Sequence, residues 1–180
     1  MQKISTLKKL ALSAMLVAMQ IILSRYLGIQ SSFFQTSFGF VAIATASAVL
    51  GPLCGAACAF VADLLGVLLA GTGAYFPLFA INEIAYALLY GVFLHTPRRS
   101  PLRVVLCVII QCVFIAIPLT PVWLYIYFKY VVGTAQAFSI IFTQKITASL
   151  IEMPIKMAVL IPLSSYFFPR LEKMLDRQKG

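Results

Sequence analysis

Arg25 and Asp63 are the only charged residues between Lys9 and Glu83, and both sit in otherwise apolar sequence. A charge at bilayer depth costs at least ~2.5–3.5 kcal/mol and usually faces a partner or a cavity, which makes each a candidate functional residue. Glu83, Lys145, Glu152 and Lys156 follow in further apolar segments. The cations and anions of this set balance, so the chain can neutralise itself without a charged ligand. Lys145, Glu152 and Lys156 share one helical stripe, and Glu152 to Lys156 is the favourable i,i+4 order for an internal pair. That leaves Lys145 as the cation better placed for a ligand. A guanidinium such as Arg25 makes forked hydrogen bonds to a carboxylate or a ring carbonyl, or it pairs structurally with Asp63 or Glu83.

The chemistry these residues suit is binding. The single histidine, His95, falls at a helix end, and neither a His–carboxylate cluster nor a serine nucleophile motif is present, so no catalytic residue is assigned. Cys54, Cys58, Cys107 and Cys112 lie in apolar runs and read as small buried hydrophobes, with no metal set and no cofactor expected. There is no GxxxxGK[ST] phosphate loop, so any ATP use must come from a partner.

The scaffold that positions these charges is membrane-embedded. The 180 residues are 62% apolar and 11% charged, with a mean hydropathy of +0.98; soluble domains are about 45–50% apolar and about 25% charged. At ~20 residues per span the chain holds roughly six. We read a single all-α membrane domain over 1–180, with six transmembrane helices near 6–27, 38–50, 53–70, 77–95, 102–128 and 138–168. Gly51-Pro52 breaks the second from the third, Pro77 suits a first helical position, and Pro118 and Pro121 predict a kink in the fifth. The second segment rises only ~20 Å. Gly28 to Ser37 reads as a loop without Lys or Arg.

The net charge of +9 is a topology signal and not one for nucleic acid. Lys3, Lys8 and Lys9 lie before or at the start of the first span, Arg98, Arg99 and Arg103 lie at one connection, and Arg170, Lys173, Arg177 and Lys179 follow the last span. Lys/Arg-rich loops stay cytoplasmic, which predicts a multi-pass protein of the cell membrane with both termini on its cytoplasmic side. The first apolar run is too long for a secretory signal core and reads as a span. Ala11, Ala14 and Ala18 form a small-residue stripe that suits close helix packing, within this bundle or against a separate membrane subunit.

The order of motifs adds to this reading. Leu23-Ser24-Arg25-Tyr26-Leu27-Gly28-Ile29-Gln30, Ser37-Phe38-Gly39-Phe40-Val41, Leu50-Gly51-Pro52, Ala62-Asp63-Leu64-Leu65-Gly66 and Gly73-Ala74-Tyr75-Phe76-Pro77 follow one another. The series resembles the substrate-binding S components of energy-coupling factor (ECF) transporters, and within them the folate family. The similarity covers about residues 10 to 95. Ala42 stands where that family commonly has Pro, and Thr120-Pro121-Val122-Trp123 where Asn-Thr-Leu-Trp is expected.

The resemblance implies a six-helix vitamin-capture subunit that docks on a transmembrane scaffold carrying two ATPase subunits and topples to release its vitamin inside. Ala14 and Ala18 match the family's scaffold-docking motif. Folate has a pterin with donor and acceptor edges, an aromatic middle and two carboxylates, so its site needs aromatic walls, polar edge groups and cations. Arg25 and Lys145 are the candidates for the tail, Asn82 and Glu83 for the pterin edge, and Trp123, Tyr75 and Phe76 for walls and lid. Glu83 alternatively pairs with Arg25 or Lys145, and Asp63 is read as structural, near the Gly71–Phe76 loop. The alternatives are the same machinery with riboflavin, thiamine or pantothenate and, more distantly, a membrane-embedded enzyme or a solitary transporter.

Overall fold

The computed structural model describes residues 6–25, 29–30, 35–70, 75–96, 100–133 and 137–177. Helix α1 covers Thr6–Arg25, and a short antiparallel pair, β1 (Ile29–Gln30) with β2 (Gln35–Thr36), follows it. Ile29 pairs with Thr36 and Gln30 with Gln35, so part of the expected loop is a two-stranded ladder. Then come α2 (Gly39–Leu50), α3 (Pro52–Ala70) and α4 (Pro77–Leu94). A fifth helical rod joins α5 (Pro101–Gln111) to α6 (Leu119–Tyr127), and a sixth joins α7 (Phe138–Pro162) to α8 (Phe168–Arg177). Among the described residues five helical stretches are long and apolar enough to cross a membrane, and α2 is a shorter apolar helix.

Where a kink is expected in the fifth rod, the helix carries a π-turn. Residues Cys112–Ala116 widen the helix before Pro118, and the Ile117 N–H bonds the Cys112 carbonyl at 3.0 Å. Proline withdraws a backbone donor and crowds the preceding turn, which a widened turn relieves. Two further π-turns, Phe128–Val132 and Leu163–Phe167, end the fifth rod and follow Pro162.

Helix α2 is the hub of the bundle. Nearly all of its residues are buried, and it packs against α1, α3, α4, α7 and α8. Its alanines and Ser47 let neighbours approach closely, and in lipid such packing drives helix association. Gly55 of α3 lies so close to Ser47 that no Cβ would fit there. Gly51 turns the chain at φ +99°. Gly91 of α4 leaves room for Pro52, and His95 holds the same corner through Nδ1, which donates to the Ala48 carbonyl at 2.7 Å. An unfilled helix C-terminus carries orphan carbonyls, and His95 satisfies one of them.

The outer surface is apolar. Met15 and Leu53 are 69% and 79% exposed, and Leu68, Val92, Phe114 and Leu150 are exposed as well. The polar residues Gln20, Thr45, Ser47, Asn82, Gln111, Ser149, Glu152 and Ser164 are buried. That inversion suits a lipid exterior, where polar groups must be satisfied inside the bundle.

Candidate functional site

Three elements converge toward the end of the bundle that carries the β1–β2 ladder, here the hairpin end. Asn82 of α4 is 5% exposed and ties two helices together. Its Nδ2 donates to Thr120 Oγ1 at 3.1 Å, and its Oδ1 accepts from Trp123 Nε1 at 3.1 Å. Thr120 Oγ1 donates in turn to the Ile115 carbonyl at 3.3 Å. Asn82 and Trp123, singled out separately in the sequence, are therefore bonded to each other. Thr120, at the position where the sequence departs from the expected pattern, completes the knot.

Nearer the hairpin end an aromatic cluster forms from Phe76, Phe79 and Tyr127. The Phe76 ring lies 5.3 Å from Phe79 and 5.5 Å from Tyr127, both edge-on. Edge-to-face contacts at this range are the preferred ring geometry. Tyr75 is half-buried, and its hydroxyl is enclosed with no hydrogen-bond partner among the described residues. Gly71, Thr72, Gly73 and Ala74, the rest of that loop, lie outside the described residues.

The intramembrane charges divide into two direct pairs and two that remain apart. Arg25 Nη2 stands 3.8 Å from Asp63 Oδ1. A Cβ at Gly66 would come within 3.1 Å of Arg25 Nε, so Asp63 and Gly66, one turn apart on α3, form the seat of the guanidinium. Lys156 Nζ donates to Glu152 Oε2 at 2.9 Å, the i,i+4 pair foreseen from spacing. Glu83 lies within electrostatic range of Asp63, Lys156, Arg25 and Lys145. Neither Glu83 nor Lys145 forms an ion pair within 4.0 Å among the described residues. All six charges thus face one interior, with an acid and a base left unmatched at contact distance.

Deeper in the bundle a narrow polar cleft opens between α4, the α5 π-turn and α7. It is lined by Tyr86, Gln111, Cys112, Ser149, Glu152 and Lys156 among others. Gln111 and Ser149 were not singled out in the sequence. Gln111 is one polar residue in an apolar run, and Ser149 precedes Glu152 by a single turn; that spacing was the one available signal. Ala14 and Ala18 are exposed on α1, whose Leu16, Val17, Gln20 and Ile21 are buried.

The family model for the substrate-specific component of the ECF transporter matches residues 8–164. The chain belongs to that family. As an S component it is 29% identical over 164 residues to the folate transporter FolT of Clostridium novyi (strain NT), a match over 91% of this chain and 87% of the relative. A FolT of Leuconostoc mesenteroides is 27% identical over 161 residues, covering 89% of this chain and 83% of its own. Among solved structures, FolT crystallised with folic acid superposes on this S component with a TM-score of 0.77 at 28% identity. That match covers 89% of this chain and 93% of that one.

Proposed function

We propose that this S component captures folate at the outer face of the cell membrane and passes it inward. The observation that carries the reading is its likeness, over nearly the whole of both chains, to a FolT crystallised with folic acid. The interior supports it in kind: Arg25 and Lys145 supply cations for the glutamate carboxylates, Asn82 and Glu83 flank the pterin, and Trp123, Tyr75 and Phe76 wall the site. The distribution of Lys and Arg puts both termini in the cytoplasm and the hairpin end outside. Six spans, with α2 as the short one, form a single domain.

ATP is supplied by partners in this scheme. Ala14 and Ala18, on an exposed face of α1, dock the chain on a transmembrane scaffold that carries two ATPase subunits, and toppling of the docked bundle releases the vitamin inside.

Mass spectrometry of small molecules released from the purified protein tests the substrate. Folate in the extract, and saturable folate binding by the isolated chain, are expected. Riboflavin, thiamine or pantothenate in its place would overturn the folate assignment.

A further inference from the structure

The last rod is longer than a bilayer requires. It runs over residues 138–177 through α7, the π-turn and α8, ~60 Å of helix against a hydrocarbon core of about 30 Å. Its final helix, α8, packs on α2. Phe168 opens α8 and is 0% exposed, in one cluster with Leu94 at the end of α4 and Val104 in the first turn of α5. Since α4 starts beside the aromatic cluster at Phe76, this rim of the bundle is the one opposite the hairpin end.

The residues of α8 sort by type around its axis. With Phe168 toward the bundle, Leu171 and Leu175 fall on the same side at i+3 and i+7. Arg170, Lys173 and Arg177 fall on the opposite side, with Glu172 and Asp176 along one flank and Met174 on the other. Arg170 and Met174 are exposed. Just before α8, Tyr166 and Phe167 are 71% and 48% exposed. Exposed aromatic rings at the end of a span sit at the level of the headgroup boundary. Arg170 then stands ~5 Å farther out, at the depth of the lipid phosphates, and Lys173 and Arg177 follow on the same face. A lipid surface covers these apolar residues and the cations together, whereas a soluble acidic partner would answer only the cations.

We propose that α8 is a site for anionic lipid, with Arg170, Lys173 and Arg177 meeting the phosphate headgroups of the cytoplasmic leaflet and Tyr166, Phe167 and Met174 entering its boundary. Basic amphipathic helices hold such a surface by opposite charge and apolar contact acting together. The inference rests on the orientation given above, with both termini in the cytoplasm.

Hydrogen exchange of the α8 amides, read by mass spectrometry on the full-length protein in nanodiscs, tests the contact. In phosphatidylcholine with about 30% phosphatidylglycerol, at about 0.05 M salt, the wild type should exchange at least about tenfold more slowly than in phosphatidylcholine alone. Salt at about 1 M should erase that difference. A variant carrying Arg170→Gln, Lys173→Gln and Arg177→Gln should exchange alike in both bilayers, and one carrying Glu172→Gln and Asp176→Gln should be slowed further than the wild type by phosphatidylglycerol. Equal exchange of the wild type in both bilayers, or slowing that the triple variant keeps, would overturn the lipid site. Slowing that appears only when scaffold and ATPase subunits are added would overturn it in favour of a protein partner. A C-terminal tag cut by protease added outside intact cells would instead overturn the orientation on which the inference rests.

Discussion

At the scale of single residues, Arg25 is held by its neighbours and still open to a ligand. Its side chain is 26% exposed and its partner Asp63 13% exposed, and at 3.8 Å the pair is loose enough for the guanidinium to share itself with an anion. Arg25→Ala should lower folate affinity by about 10–100-fold, the worth of one charge-assisted hydrogen-bond set. Because the pair is partly exposed, the stability loss should stay below about 3 kcal/mol. Titration and thermal unfolding of the same preparation separate the two. An unchanged affinity with a lowered midpoint would make Arg25 purely structural. Asn82 bears on more than one partner. Asn82→Leu strands the Trp123 indole N–H and takes a donor from Thr120, whose hydroxyl keeps its bond to the Ile115 carbonyl, so a loss of about 1–3 kcal/mol is expected in thermal unfolding. Trp123→Phe, which removes one donor and keeps the ring, should cost less.

At the scale of elements, the corner between α2 and α3 is built from absent side chains. Gly91 admits Pro52, Gly55 admits Ser47, and Gly51 takes the positive φ of the turn. Gly91→Ala drives a methyl into the Pro52 backbone and should destabilise the protein by about 1–3 kcal/mol, as overpacking does. Its neighbour Val92 is 65% exposed, and Val92→Ala should change stability by no more than about 0.5 kcal/mol. Equal midpoints for the two variants in detergent would show that the helices separate without cost at this crossing. The helical segments were legible from apolar runs and from Pro and Gly punctuation, because those signals are local. The prolines marked an irregularity near Pro118, and its form, a π-turn, depends on how the widened turn meets α4 and α7.

At the scale of the whole molecule, the proposed function requires two surfaces that do not overlap: a polar interior for the vitamin and an apolar exterior toward lipid and partners. Ala14 and Ala18 are exposed, whereas the proposed ligand contact Asn82 is buried inside the bundle. Ala14→Trp and Ala18→Trp should therefore abolish co-purification of the scaffold and ATPase subunits and leave folate binding within about twofold of wild type, as expected for distant, independent sites. Loss of folate binding in both variants would place α1 in the ligand site instead.

The sequence by itself determined the membrane class, the helical segments and the Glu152–Lys156 pair, because hydropathy and i,i+4 spacing act within one segment. It also marked Arg25 and Asp63 as exceptional, since a charge in an apolar run is visible without a fold. Only the tertiary structure decided that these two meet, with Gly66 as the seat of the guanidinium. It alone bonded Asn82 to Thr120 and Trp123, and brought Gln111 and Ser149 to a shared cleft. The physical reason is that whether a polar atom between helices is satisfied depends on which face of another helix meets it, and no spacing along one helix encodes that.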